Sequence, residues 1–245
     1  MKKAKKANST TSRFLTTSRI KSVLRRAVSV AVTFLLAPAA AFGADLPDKG
    51  EQLIEKHQFK EALAFYNSKL KDHANDAEAY TAKAEALIGL GKFEQAVDAA
   101  TAALKIAEDE EAYCQRAFAY IELEKPSLAL LDCSKALSLN PKSSEAYRIR
   151  GEVEAEQDQY KKALEDCSIA LKLDPKNADA FRVRATVCVA LEEYERALSD
   201  CQKAIALDPL LGEVYFVQSQ AYSELGKKDL AQQARKKAKE LGYKE

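Results

Sequence analysis

The chain has 245 residues, of which 47% are hydrophobic and 31% are charged, with only 8 glycines, 6 prolines and 2 histidines. This composition argues against a β-sandwich, a loop-rich disulfide scaffold or a disordered chain. Two histidines also exclude a zinc site with three histidine ligands.

The net charge of +1 conceals a difference between the N-terminal segment and the rest of the chain. Nine Lys or Arg side chains lie within residues 2–26, whereas the first acidic residue is Asp45. Residues 27–245 hold 29 basic and 37 acidic side chains, a net charge of −8. Because a negatively charged body repels phosphate backbones, we do not expect nucleic acid as a partner.

An apolar run at residues 27–37 follows the basic segment, and Pro38 and several small residues come after it. This order predicts a secretory signal peptide over residues 1–43, cleaved after Ala41 or Gly43, and therefore a periplasmic or secreted protein. The run is too short for a comfortable membrane span, so we expect no stable span once the leader is removed. Two alternatives stay open: an uncleaved leader that anchors the protein in a membrane, and an organelle presequence.

The rest of the chain repeats itself with a period of 34 residues, which shortens once to 33. Three similar segments, ALSLNP, ALKLDP and AIALDP, end at Pro141, Pro175 and Pro209. The same spacing separates four aromatic residues, four alanines and three cysteines, namely Tyr113, Tyr147, Phe181 and Tyr215, then Ala129, Ala163, Ala197 and Ala231, then Cys133, Cys167 and Cys201.

This pattern resembles the tetratricopeptide repeat (TPR) family. The resemblance implies an all-α fold, a right-handed α-solenoid of antiparallel helix pairs. Six repeats are expected to follow the leader, at residues 43–76, 77–109, 110–143, 144–177, 178–211 and 212–245. Positions within a repeat are numbered below from its first residue.

Apolar residues within each repeat recur at spacings of three and four residues. This periodicity predicts two amphipathic helices per repeat, for example at about 144–157 and 160–173. The small residues Gly151 and Ala163 should let these two helices approach closely, and Pro175 should end the second one. One pair cannot bury its apolar face alone, so the pairs must stack.

The last helix is expected to present a solvated outer face. Arg235 stands where three earlier repeats have cysteine, and Lys239 stands where they have Leu137, Leu171 and Ile205. The sequence therefore predicts that this helix caps the array.

Position 7 is basic and position 23 is acidic in successive repeats. The residues concerned are Lys83, Arg116, Arg150 and Arg184 at position 7, and Asp132, Asp166 and Asp200 at position 23. Packing of one repeat's second helix on the next repeat's first helix predicts salt bridges between repeats, Asp132–Arg150 and Asp166–Arg184. The alternative is a basic ladder that binds a ligand.

An acidic residue lies in the first turn of five first helices, at Glu78, Glu111, Glu145, Asp179 and Glu213. A favourable interaction with the helix dipole explains this placement. An acidic rim that attracts basic partners is the second interpretation, and both can hold.

Five cysteines are many for an exported chain. Cys133, Cys167 and Cys201 occupy equivalent core positions about one repeat apart, too far for a disulfide between them. Cys188 lies on a first helix, where a bridge to Cys167 or Cys201 is conceivable. No C-x-x-C pair exists, so neither a redox motif nor a zinc knuckle is supported.

Catalytic and cofactor motifs are absent from the sequence. It contains no G-x-G-x-x-G, P-loop, G-x-S-x-G or H-E-x-x-H motif. We therefore predict a protein that is not an enzyme and that needs no cofactor or metal.

The resemblance also implies a binding surface. In the TPR family, positions 2, 5, 6, 9, 12 and 13 of the first helices line a concave groove. The corresponding residues are Cys114, Phe118, Ile121, Arg148, Ile149, Glu152, Arg182, Val183, Thr186, Val189, Phe216, Val217 and Gln220. Arg148 and Arg182 are expected to hold an acidic group or chain terminus, beside apolar contacts. The alternative is that these side chains cover one another.

The co-chaperone members of the family bind a C-terminal carboxylate through a clamp of lysine, asparagine and arginine. Pro47 and Glu51 stand at the first clamp positions, so we do not predict that ligand. The predicted function is a non-catalytic scaffold or adaptor that binds a peptide or protein in the groove, outside the cytoplasm. The alternative is a carrier or chaperone for an apolar small molecule or lipid in the same groove.

Overall fold

A computed structural model of the chain describes residues 48–243. The predicted leader, its cleavage positions and the residues before Asp48 lie outside this range.

The described residues form twelve α-helices and no β-strand, as the repeat pattern predicts. In chain order they are α1 (Lys49–Glu55), α2 (Phe59–Asp72), α3 (Ala77–Gly89), α4 (Phe93–Ile106), α5 (Glu110–Glu122), α6 (Pro126–Leu139), α7 (Ser144–Glu156), α8 (Tyr160–Leu173), α9 (Ala178–Ala190), α10 (Tyr194–Leu207), α11 (Gly212–Glu224) and α12 (Lys228–Glu240). Neighbouring helices pack in antiparallel pairs, which confirms the fold class.

Polar N-caps fix where several first helices begin. The side chains of Asp76, Asp109 and Asn177 accept hydrogen bonds from the backbone N–H groups three residues further on. Each bond satisfies a donor that has no partner inside the helix. These three helices thus start at the first position of their repeats because a capping side chain stands just before it, whereas α11 starts at the same position after Leu211 without a side-chain cap.

A left-handed residue ends each first helix. It stands at position 15 of all six repeats, with φ between 57° and 72°, in His57, Gly91, Glu124, Asp158, Glu192 and Gly226. In the third repeat the N–H of Lys125 reaches back to the carbonyl of Tyr120 at 2.8 Å, and the N–H of Glu124 reaches that of Ile121 at 2.9 Å. These two bonds form a Schellman motif, which turns the chain back along the helix it has just left.

The described part of the chain consists of two compact units, which divide between Ala146 and Tyr147, inside α7. In the unit of residues 48–146, small buried alanines such as Ala62, Ala96 and Ala129 let the paired helices approach closely. Lys69 stands where most repeats have alanine. Its ammonium group lies 3.3 Å from Asp48 and 3.2 Å from Asp76, so it joins two N-cap carboxylates.

The unit of residues 147–243 has a core of alanine, valine, phenylalanine and cysteine side chains. A Cβ atom added at Gly151 would lie 2.9 Å from the sulfur of Cys167 and 3.2 Å from the carbonyl oxygen of Ala163. The close approach of α7 and α8 at Gly151 and Ala163 is therefore confirmed. In α12 only Ala234 and Ala238 are buried, while Arg235 and Lys239 are exposed, which confirms the solvated face.

No helix between residues 48 and 243 combines the length and the apolar character needed to cross a membrane.

Candidate interaction surfaces

The arginines at position 7 pair with the aspartates of their own repeats. Arg116 donates to both carboxylate oxygens of Asp132 at 2.7 and 2.8 Å. Arg150 does the same with Asp166 at 2.5 and 2.9 Å. In the fifth repeat, Arg184 donates to both oxygens of Asp200, at 2.6 and 2.8 Å. The predicted pairs between repeats, Asp132–Arg150 and Asp166–Arg184, are wrong.

The turn explains this pairing. Positions 7 and 23 lie eight residues on either side of the left-handed residue at position 15. When the two helices fold back antiparallel about that residue, the two side chains come face to face. The sequence alone led to a pairing of position 23 with the next repeat. That pairing does not treat the residue at position 15 as the point about which the two helices of one repeat fold back.

The third nitrogen of the guanidinium group makes the link to the preceding repeat. Arg116 Nη1 lies 3.0 Å from the hydroxyl of Thr101, and Arg184 Nη1 lies 3.5 Å from that of Ser168. The guanidinium of Arg150 also stacks over the ring of Tyr147, 5.3 Å from its centroid. These arginines are held on several sides, so they are structural and do not form a ladder for a ligand.

The hydrogen bonds with the aspartates raise the pKa of all three arginines above its usual value. The guanidinium groups therefore stay charged at neutral pH.

Most of the predicted groove residues are buried. Cys114, Ile121, Arg148, Ile149, Glu152, Arg182, Val183 and Val217 are all less than 9% exposed. The partly exposed ones are Phe118, Thr186, Val189, Phe216 and Gln220. Most of the predicted groove side chains are therefore covered within the described residues, and the second group is the part of the predicted surface that stays partly open.

Arg148 and Arg182 belong to a buried ionic network in the unit of residues 147–243. Glu152 accepts from Arg148 at 2.8 Å and from Arg182 at 2.8 Å. Arg182 also lies 3.2 Å from Asp179 and 3.3 Å from Glu213. Arg148 and Arg182 are only 2% and 4% exposed, respectively. The expectation that these two guanidinium groups await an acidic ligand is therefore not supported by their surroundings.

Burial alone would lower the pKa of Arg182, but the charges of Glu152, Glu213 and Asp179 outweigh it and raise the pKa well above its usual value. Arg182 is therefore a permanent cation that the chain itself neutralises.

Two of the predicted aromatic contacts are partly used within the chain. Phe118 packs against the core around Leu87 and Phe93. Phe216 stacks on Tyr243, with ring centroids 4.5 Å apart. Each ring thus has one face against the protein and part of its surface open to solvent.

Four of the five acidic residues of the first turns fall into two groups. Asp179 and Glu213 are bound by Arg182, as described above. Glu78 and Glu111 instead line a cavity of about 730 Å³ in the unit of residues 48–146. The lining, hereafter the acidic cavity, comprises Glu51, Ile54, Glu55, Ala77, Glu78, Thr81, Ala82, Glu85, Ala107, Glu108, Asp109 and Glu111. Seven of these twelve residues are acidic and none is basic, so the cavity does not suit an apolar ligand.

All five cysteines are buried thiols, and no disulfide joins any two of them, Cys188 included. Burial raises the pKa of Cys188 to about 11 and that of Cys201 to about 12, so both are protonated at neutral pH. Within residues 48–243, no group of His, Cys, Asp and Glu side chains is placed to hold a metal ion.

Comparison with known proteins agrees with the helix pairs. Tetratricopeptide repeat models match residues 77–110 and 212–241, residues 110–143, and residues 159–211. Together these matches cover more than half of the chain. Human sperm-associated antigen 1 is 30% identical over 101 residues, which are 41% of this chain and 11% of that protein.

Solved structures show the same architecture. MamA is 26% identical with a TM-score of 0.51, over 64% of this chain and 93% of that one. A tetratricopeptide repeat protein of Parabacteroides merdae is 23% identical with a TM-score of 0.64, over 80% and 77% of the two chains. A chain of the APC/C hetero-tetramer Cut9–Hcn1 is 16% identical with a TM-score of 0.73, over 80% of this chain and 39% of that one. With its 34-residue period, its antiparallel pairs and these matches, the chain belongs to the tetratricopeptide repeat family.

Proposed function

We propose that the protein is a scaffold or adaptor that binds a peptide or protein partner outside the cytoplasm. The observation that carries the proposal is the repeated helix pair itself, because tetratricopeptide repeat proteins are generally non-catalytic scaffolds for protein–protein interaction. A location outside the cytoplasm rests on the order of basic, apolar and small residues before Ala44.

The partner contacts the partly exposed side chains of the predicted groove. In the unit of residues 147–243, these are Thr186 and Gln220 at position 9 of their repeats and Phe216 at position 5. An aromatic face beside neutral hydrogen-bonding groups suits a peptide, whose backbone needs partners and whose side chains need apolar contact. Lipid or another apolar ligand is not favoured, because the charged network of Arg148, Glu152 and Arg182 occupies the neighbouring positions.

The test begins with the full chain expressed in its native host, from which co-purifying proteins are identified by mass spectrometry. Binding of the identified partner is then measured with Thr186→Arg and Gln220→Arg. We expect each variant to weaken binding at least tenfold, because a long cation is placed in the contact. Gln233→Arg, on the exposed outer face of α12, is the matched control and should bind as the wild type does. Unchanged binding by both folded variants would remove this surface from consideration.

Export is tested separately by sequencing the N-terminus of the protein recovered outside the cytoplasm. We expect the sequence to start at Phe42 or Ala44. A start at Met1 in the soluble cytoplasmic fraction would contradict the proposed location and leave the binding proposal standing.

A further inference from the structure

Glu154 is a carboxylate at a core position of the fourth repeat. It is only 9% exposed, and its Oε2 atom is buried without a hydrogen-bond partner. A buried polar atom in this state costs free energy, and a buried charge costs more. Position 11 of the other repeats holds apolar or aromatic side chains, namely Leu53, Leu87, Tyr120, Cys188 and Tyr222. The fourth repeat therefore has a titratable group where the others have ordinary core packing.

Charged side chains of both helices of the repeat act on Glu154. On α8, Asp166 and Glu165 oppose its ionisation, whereas Lys162 on α8 and Arg150 on α7 favour it. Arg150 already donates to both carboxylate oxygens of Asp166. Burial and then the charge of Asp166 raise the pKa of Glu154 above its usual value of 4.5, so the two cations do not offset the cost of ionisation.

Helix α9, which packs against α8, contributes a cation that is already matched. The guanidinium of Arg184 donates to both oxygens of Asp200, and its remaining terminal nitrogen lies 3.5 Å from the hydroxyl of Ser168 on α8. The charge of Arg184 is thus used within its own repeat.

Glu154 also belongs to the turn that folds α8 back on α7. Its carbonyl oxygen accepts from the N–H of Gln159 at 2.8 Å and from that of Gln157 at 3.2 Å. Between these two residues, Asp158 has a φ of 59°, a left-handed conformation that is strained for a residue other than glycine. The buried carboxylate and the strained residue therefore act on the same turn.

We propose that Glu154 makes the fourth repeat a proton-controlled joint, in which α7 and α8 stay closed while the carboxyl is protonated and separate locally more often once it is ionised. Such local opening needs no global unfolding, because each repeat contacts only its neighbours. Ionisation is opposed in the closed repeat and unopposed in the opened one. Closure is therefore strongest below the usual pKa of a glutamate and weakens as the pH rises through the raised pKa. This inference does not depend on the function proposed above.

The experiment is amide hydrogen exchange of the full chain, read by mass spectrometry at about pH 5 and about pH 8 and corrected for the intrinsic pH dependence of exchange. Two variants remove the charge. Glu154→Gln keeps the shape of the side chain, and Glu154→Leu introduces the residue that stands at this position in the first two repeats. Glu195→Gln removes an exposed carboxylate from α10 and is the matched control.

In the wild type, we expect the protection of α7 and α8 amides to be at least threefold lower at the higher pH, with a smaller change in α10. Both Glu154 variants should lose this difference, and Glu195→Gln should keep it. A merely structural role of Glu154 would change protection equally at both pH values. The proposal would be overturned by an equal pH dependence of α8 and α10 in the wild type, by no pH dependence at all, or by a difference that persists in either Glu154 variant.

Discussion

Asp166 should be energetically coupled to Arg150 in its own repeat and not to Arg184 in the next. Replacing Asp166 by alanine removes a carboxylate whose side chain is only 7% exposed and which accepts two bonds from Arg150, at 2.5 and 2.9 Å. Breaking a buried ion pair by removing one partner costs about 3–5 kcal/mol. The Arg150 side chain is 29% exposed and regains some water, so we expect a loss of about 3 kcal/mol, at the lower end.

The coupling is measured by two double-mutant cycles, from denaturant unfolding of the single and double alanine variants. The Asp166–Arg150 cycle should give a coupling energy of about 2 kcal/mol, because the double variant leaves no buried charge without its partner. The Asp166–Arg184 cycle should give less than about 1 kcal/mol, since Arg184 binds Asp200 instead. A larger coupling to Arg184 than to Arg150 would show that the aspartates pair between repeats, and the geometry derived from the turn would be refuted.

Three further predictions concern single side chains. Arg148→Ala should lower the free energy of unfolding by about 3 kcal/mol, because it removes a cation that binds buried Glu152. The control Arg196→Ala breaks an ion pair of similar length whose arginine is 45% exposed, and it should lower the free energy of unfolding by less than about 0.5 kcal/mol. Gly226→Ala should lower the free energy of unfolding by about 1 kcal/mol through backbone strain alone, because φ is +72° and nothing lies within 4 Å of the added carbon. A decrease below about 0.2 kcal/mol in thermal unfolding would contradict this. Glu154→Gln should raise the melting temperature at pH 7 and leave it unchanged near pH 4. Burial and then Asp166 raise the pKa of Glu154, so its ionised form opposes folding and its protonation on acidification removes the penalty.

The repeat period predicts most of the fold, because the residues that recur with it are the ones that every helix pair needs for packing. The small residues Gly151 and Ala163 predict a close contact between α7 and α8, and the structure has that contact. The left-handed turn at position 15 was not predicted, since four of its six residues are not glycine. The regular spacing of His57, Glu124, Asp158 and Glu192 identifies the turn only once its position within the repeat is known.

The candidate site was harder to predict than the fold, because position within a repeat does not determine what a charged side chain contacts. Arg148 and Arg182 stand where the family's groove residues stand, yet both are buried against the chain's own carboxylates. Their partner Glu152 lies at the position that Thr186 and Gln220 fill in the next two repeats. One glutamate in one repeat thus converts two expected ligand-binding groups into a fixed network.

This network also bears on the kind of partner that the proposed surface would bind. The five side chains Arg148, Glu152, Asp179, Arg182 and Glu213 carry two positive and three negative charges, a formal net charge of −1. A carboxylate brought to this surface would have to displace Glu152 from two bonds of 2.8 Å and would face a net repulsion. A neutral or cationic group meets no such barrier. If the proposed surface around Thr186, Phe216 and Gln220 binds a peptide, we therefore expect an uncharged or basic segment rather than the chain terminus or acidic group that the arginines alone had indicated.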